Sequence, residues 1–358
     1  MDHVKTAGHN TAADHVKLAI DALALGQPAT HRGLTVFPLT SGLTSSLRYL
    51  LLEEGLRKDL VTIGEISEGG SVPELVVENR ADRPVLIVDG EELVGAKQNR
   101  VANLTMLIPA AGKTIIPVSC VEAGRWSYRT PDFDVTDRVM NARGRAEKLS
   151  SVRHSIRERG SRRSDQGRVW ESIDEEAAAL HAPSETRAMS AMFERHKDTL
   201  DDYVGAVEAA PDQVGAVFVV GGRRWGLDLF DQPATFAAFL PKLVRSYGID
   251  VLGRRTRSRE RPSEHHAQEF LDRIAAGAFD EHPAVGIGRD VGVVGEGVVA
   301  GALVANEAVV HLTAFAEPVR RRSGGNPSGS AESGGGRRYA GYRQRRDALE
   351  GRYGGRSS

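Results

Sequence analysis

The sequence predicts an α+β fold, mainly antiparallel β-sheets with several packed helices, and three observations carry that reading. Between residues 71 and 126, apolar runs of strand length recur at roughly 8–12 residue spacing with turn residues between them, as antiparallel strands do. A block of helical composition follows, instead of one helix after each strand. A second set of short apolar runs then extends to about residue 316. Strands, then helices, then strands interleaved with helices argue against a doubly wound parallel sheet.

In chain order, residues 1–11 are polar, and Thr11 or Asp14 caps a short helix carrying Val16, Leu18, Ile20, Leu23 and Leu25. Gly26-Gln27-Pro28 stops it. Gly33 to Leu39 reads as a strand whose Pro38 suggests an edge or a strand end. Glu53 to Asp59 is one or two helical turns, and Leu60 to Ile66 is a strand. The central unit contributes Leu75 to Val77, Val85 to Val88, Leu104 to Ile108 and Thr114 to Val118. Asp137 to about Gln166 is polar and arginine-rich, and reads as a solvated helix with a turn at Gly160. Val169 to Glu208 is helical, divided in two by Pro183. Val214 to Val220 and Trp225 to Leu229 form a hairpin around Gly221-Gly222. Pro233 to Tyr247 is a helix closed by Gly248, and Ser263 to Ala276 is another. Val285 to Ile287, Val291 to Val294, Val298 to Ala305 and Ala308 to Phe315 are closing strands. The expected organisation is an N-terminal extension over 1–30, an α+β domain over 31–316 and a disordered tail over 317–358. Within the domain, a β-rich unit spans 33–126 and a mixed part spans 135–316. The tail is rich in Gly, Ser and Arg and too poor in aliphatic residues to offset its ordering entropy.

The chain has 358 residues, 40% hydrophobic and 27% charged, with a formal net charge of -1. That balance fits a globular protein and argues against a polyanion binder along the whole chain. The single cysteine, Cys120, rules out an internal disulfide and suits a reducing compartment. No apolar run reaches the roughly 18 residues of a membrane span, and no signal peptide is seen at the N-terminus. A cytoplasmic protein is the expectation.

The polar residues gather in two strings, Asp89 to Arg100 and Ser119 to Trp126. Asp89-Gly90-Glu91-Glu92 sets three carboxylates beside a turn, suited to acid–base work or a hard cation. The plainer reading is a solvated Asp-Gly hairpin turn. Lys97, Gln98, Asn99 and Arg100 follow the small residues Gly95 and Ala96, a set of donors suited to phosphate or carboxylate; the alternative is a charged strand edge. In the second string, Cys120 is either a nucleophile or, more commonly, a small buried hydrophobe. Glu122 is a further carboxylate. Arg125 beside Trp126 can grip an anion or stack on a base, or simply cap the core. No zinc pattern, dinucleotide fingerprint or Walker string is present, so no metal is assigned and any cofactor is unknown.

Several short strings together resemble a known family. They are Val72-Pro73-Glu74-Leu75, Glu78-Asn79, Gly90-Glu91, Gly95-Ala96-Lys97-Gln98-Asn99-Arg100 and Pro117 to Trp126. The chain is similar to the bacterial domain family named for its association with ADP-ribosylglycohydrolases and rhodanese-type phosphatases, with weaker similarity from about Leu34 to about Ala316. The resemblance implies a link to ADP-ribose or NAD-related metabolism and implies no particular reaction. The expected function is binding or processing of a small anionic nucleotide. Glu91, Glu92 and Glu122 are the candidate catalytic carboxylates, and Gly95, Lys97, Gln98, Asn99, Arg100, Arg125 and Trp126 the candidate ligand contacts. The alternative is a non-catalytic interaction module whose arginine-rich tail contacts RNA or an acidic partner. The two polar strings are expected on neighbouring strands or their connecting loops, with Arg125 opposite Glu91 and Glu92.

Overall fold

A computed structural model of the chain describes residues 10–43, 45–67, 71–253 and 261–316. The expected tail, 317–358, and most of the charged segment at 254–262 lie outside the described residues. The elements run as follows: α1 (Ala12–Asp21), β1 (Leu23–Leu25), β2 (Ala29–His31), β3 (Leu34–Ser41), β4 (Leu50–Leu51), α2 (Leu52–Arg57), β5 (Val61–Glu65), β6 (Glu74–Asn79) and β7 (Val85–Ile87). Then come β8 (Glu91–Gly95), β9 (Arg100–Ala102), β10 (Met106–Ile108), β11 (Gly112–Cys120), β12 (Phe133–Val139), α3 (Ala142–Arg159), α4 (Gln166–Ala179), α5 (Ser190–Arg195) and α6 (Lys197–Gly205). The described part closes with β13 (Gln213–Val220), β14 (Arg224–Phe230), α7 (Pro233–Leu252), α8 (Glu264–Ala275), β15 (Ala278–Pro283), β16 (Arg289–Gly295), β17 (Val298–Ala305) and β18 (Ala308–Ala316).

This is the α+β fold the strand spacing predicts. A nine-stranded sheet runs β1-β3-β13-β14-β18-β17-β16-β15, with β2 also on β3. A six-stranded sheet runs β12-β8-β9-β11-β6-β5, and a third has the order β10-β7-β4. Pairing is antiparallel except between β4 and β7.

The large sheet is covered on both faces, so its central strands read as nearly unbroken apolar runs. Val217 and Val219 of β13 face α1 and α8, with Val16, Ile20, Phe270 and Ile274. Ala216, Phe218 and Val220 face α7, with Phe236, Phe239 and Leu243. The helix placed in an N-terminal extension is therefore an integral layer of this sheet, because Val16 and Ile20 are buried against it and β1 extends it.

The largest correction concerns α3. The arginine-rich segment forms the helix and ends at Gly160 in the left-handed region (φ 62) as expected. It is not solvated: Arg145, Lys148 and Arg153 are among the largest fully buried side chains of the protein. Its buried face, Arg145, Leu149, Val152, Arg153 and Ile156, repeats at helical spacing. The sheet beneath supplies the room. Gly292, Gly301, Thr313 and Asp228 are successive register partners across β16, β17, β18 and β14. A Cβ on Gly301 would lie 2.7 Å from Arg153 Nη2. Small residues thus seat one guanidinium, and Asp228 meets the other.

Smaller differences have local causes. The helix expected to stop at Gly248 continues to Leu252, and Gly248 instead lets α7 approach Leu200 of α6. The region 169–208 holds α4, α5 and α6, not two helices. Val285 to Ile287 is not a strand; β15 precedes it. Asp89-Gly90 is not a hairpin turn either, because β7 and β8 belong to different sheets. It is a buried corner between them, with Gly90 at φ 82 beneath the Arg145 stem.

Candidate functional site

The two polar strings do meet on neighbouring strands. In the β9–β11 register, Arg100 pairs with Cys120 and Val101 with Ser119, while β8 lies on the other side of β9. The turn from Gly95 to Asn99 joins β8 to β9. Gly95 sits at φ 135, where an added Cβ would come within 2.4 Å of the Asp132 carbonyl oxygen, and Ala96 holds φ 34.

Arg125 fixes this turn to the loop after β11. Its Nε donates to Glu122 Oε2 at 2.9 Å, Nη1 to the carbonyls of Ala96 (2.7 Å) and Ser127 (2.9 Å), and Nη2 to Asn99 Oδ1 (3.0 Å) and the Gly95 carbonyl (3.3 Å). Glu122 Oε2 also accepts from the Asn99 N–H at 3.2 Å. Burial alone would raise the Glu122 carboxyl, but hydrogen bonds from Arg125, Thr186 and the Asn99 backbone hold it below its usual range. Arg125 and Glu122 therefore build the site's wall, and every Arg125 nitrogen already has a protein acceptor.

Arg100 differs. Its side chain has no exposed surface. Nη1 donates to Gln98 Oε1 at 3.1 Å, whereas Nε and Nη2 have no hydrogen-bond acceptor among the described residues. The exposed ring of Trp126 lies 5.8 Å from its guanidinium carbon, and Lys97 Nζ stands 5.4 Å from the Trp126 ring and 5.2 Å from that of Tyr128. Trp126 and Tyr128 are 48% and 53% exposed. The result is an aromatic pair at the surface with two cations against it. Burial pulls the Arg100 pKa below its ordinary value, with Cys120 and Glu65 opposing; the group stays cationic at neutral pH. Burial likewise pushes the Cys120 thiol up, against Arg100. Its Sγ donates to Gln98 Oε1 at 3.1 Å. That is the small buried hydrophobe, not an activated thiolate.

Glu91 and Glu92 are buried and paired elsewhere, not solvated and not opposite Arg125. Glu91 accepts from the Val88 N–H (2.8 Å) and from Lys242 Nζ (3.3 Å). Glu92 Oε2 lies 3.2 Å from Arg138 Nε and accepts from Thr136, while Oε1 has no hydrogen-bond partner among the described residues. Burial raises the Glu92 pKa to about 7, with Arg138 opposing.

A second polar cluster escaped the sequence reading. Arg145 donates to both oxygens of Asp228 and to Thr313, and Lys148 contacts Asp89 and the carbonyls of Ala102 (2.9 Å) and Asn103 (3.1 Å). Thr105 Oγ1 accepts from the Asp89 N–H and lies 2.7 Å from His311 Nδ1. A cavity of about 10 Å³ lies beside Thr105, Asp89, Arg153 and Asp290, enough for about one water molecule. Leu149, Val152 and Ile156, at helical spacing within the arginines, were the available signal of a buried face. Glu65 and Tyr128, which flank Arg100 and Lys97, carried no signal in the sequence. Among the described residues, no group of three or more His, Cys, Asp or Glu is placed to hold a metal, and no helix is long and apolar enough to cross a membrane.

No curated protein and no solved structure matches the chain. The sequence model of the ARG and Rhodanese-Phosphatase-superfamily-associated Protein domain matches residues 22–315, from β1 to the last strand of the large sheet. With most of its length matched, the chain belongs to the ARG and Rhodanese-Phosphatase-superfamily-associated Protein domain family.

Proposed function

We propose that the chain binds a small anionic nucleotide of the ADP-ribose or NAD class, between the Gly95–Asn99 turn and the loop carrying Trp126 and Tyr128. The observation that carries this reading is the Nε/Nη2 edge of Arg100, which has no hydrogen-bond acceptor among the described residues although the side chain is fully buried. That edge offers two parallel N–H donors, the geometry that suits a phosphate. The half-exposed rings of Trp126 and Tyr128 suit a base, with stacking worth about 1–3 kcal/mol, and Lys97 adds a second cation beside them. Gly95, Gln98, Asn99 and Arg125 shape the turn instead of touching the ligand. The family's association with ADP-ribosylglycohydrolases supports the nucleotide class.

Of the carboxylates put forward for acid–base work, Glu92 has the suitable environment, with a pKa of about 7 and a free Oε1. Glu91 and Glu122 are occupied by Lys242 and Arg125. Binding, not turnover, is the function proposed. The alternative module, with RNA or an acidic partner on the arginine-rich tail, falls outside the described residues. Calorimetric titration of ADP-ribose, NAD and ADP into the full chain tests the proposal. Saturable binding that Trp126→Ala weakens roughly tenfold supports it; no heat from any of the three at millimolar concentration contradicts it.

A further inference from the structure

Glu65, at the end of β5, faces Arg100 from the other end of the six-stranded sheet's register: Glu65 pairs with Leu75 of β6, and Leu75 with Ile116 of β11. Its side chain is 4% exposed, and neither Oε1 nor Oε2 has a hydrogen-bond donor among the described residues. The nearest approach of the two side chains, Arg100 Nη2 to Glu65 Oε1, is 3.9 Å. A buried guanidinium–carboxylate pair normally closes to about 2.7–2.9 Å, because only direct, preferably bidentate, bonds offset the cost of desolvating both ions. Here each partner is held back. Arg100 is drawn by its Nη1 bond to Gln98 Oε1 and by its register with Cys120, and Glu65 by its own strand pairing. Two buried donors of Arg100 and two buried acceptors of Glu65 are consequently left without hydrogen bonds among the described residues, with Nη2 and Oε1 3.9 Å apart.

We infer that Glu65 recognises the vicinal hydroxyls of a ribose while the adjacent edge of Arg100 holds the phosphate of the same nucleotide, so the site selects ribonucleotides with a free 2′,3′-diol. The inference rests on the nucleotide reading above and names the ligand class within it. The donor–acceptor complement decides the class. A lone phosphate or other simple anion satisfies Arg100 but sets a second negative charge against Glu65. A base carries donors and acceptors along its edges that suit either group, but the exposed rings of Trp126 and Tyr128 offer its face a stacking surface, which leaves phosphate and sugar for Arg100 and Glu65. A 5′-ribonucleotide carries acceptors on its phosphate and two hydroxyl donors on its sugar, matching both. The way in passes Trp126, whose half-exposed ring covers the Arg100 guanidinium and offers the base a stacking surface.

The test is calorimetric titration of the full chain with ADP and with 2′-deoxy-ADP, for the wild type and for Glu65→Gln and Glu65→Asp. The wild type is expected to bind ADP roughly tenfold or more tightly than 2′-deoxy-ADP, the loss that follows from removing a hydrogen bond to a charged group. In Glu65→Gln that ratio is expected to fall towards one through weaker ADP binding, with 2′-deoxy-ADP affinity unchanged. Equal wild-type affinity for the two ligands overturns the inference and leaves the nucleotide reading standing. A ratio retained in both variants overturns it as well, because another group then reads the 2′-hydroxyl. Binding of neither ligand by the wild type overturns both readings. The wild-type ratio needs no variant, so a misfolded substitution does not shield the inference.

Discussion

Arg145 and Asp228 form a bidentate ion pair with no exposed surface on either side chain, Nη2 lying 2.5 Å from Oδ1 and Nη1 3.1 Å from Oδ2. Tyr247 and His311 complete the surroundings of Asp228. The pair ties α3 to the middle of the nine-stranded sheet. Removing one partner leaves a buried charge uncompensated, so Asp228→Ala is expected to cost about 3–5 kcal/mol in urea unfolding. Burial alone would raise the Asp228 carboxyl, but Arg145 and His311 hold it at about 2, below the ordinary 3.8. Its stabilisation is therefore complete above the ordinary value and is lost as pH falls through about 2, on the order of 2 kcal/mol by linkage. Acid unfolding of the wild type, compared with Asp228→Asn, measures that term.

Glu92 has the opposite sign. Its folded-state pKa of about 7 lies above the ordinary 4.5 because burial outweighs Arg138. The folded protein holds the proton more tightly, so this group's contribution to stability declines as pH rises from about 4.5 to about 7 and is flat above. The decline is on the order of 3 kcal/mol. Glu92→Gln is expected to flatten the difference between urea midpoints at pH 5 and pH 8; an unchanged difference would place the titration elsewhere.

Gly95 at φ 135 leaves no space for a Cβ between the Asp132 carbonyl and Thr130 Oγ1. Gly95→Ala is expected to destabilise by about 1–3 kcal/mol through strain and to weaken nucleotide binding by displacing Lys97. Unfolding and titration of the same variant separate the two effects.

Arg125→Ala removes the bonds to Gly95, Ala96, Asn99 and Ser127 and strips the Glu122 carboxylate of its cation. The expected cost is about 1–3 kcal/mol, together with weaker nucleotide binding. Because Arg125 acts through the turn, free guanidinium in solution should not restore binding.

How far this was legible in the sequence depends on what each residue needs. The strands of the central unit, the Gly221–Gly222 turn and the Gly160 helix end announce themselves through apolar runs and glycine. The convergence of Arg100 and Cys120 was legible too, because both polar strings begin where an apolar strand ends. Burial of charge was not. Arg145, Lys148 and Arg153 read as a solvated face because charged residues are rarely buried unpaired, and their partners come from far along the chain: Asp89 from the corner after β7, Asp228 and Asp290 from β14 and β16. Glu65 was missed for the same reason: nothing local marks a carboxylate whose facing cation is Arg100. The pairing of Arg125 with Glu91 and Glu92 failed because Glu122, three residues away, already occupies it.

The nucleotide site is tested most directly by the three tryptophan indole signals in a ¹H–¹⁵N correlation spectrum, recorded while ADP-ribose is added. Trp126→Phe assigns the signal at the site. Trp225 packs against Phe37 and Phe270 on the large sheet and serves as an internal reference. The Trp126 signal is predicted to shift saturably while that of Trp225 stays in place, and to cease responding in Arg100→Gln. A Trp126 signal unmoved at millimolar ADP-ribose would contradict a nucleotide site at Arg100 and Trp126.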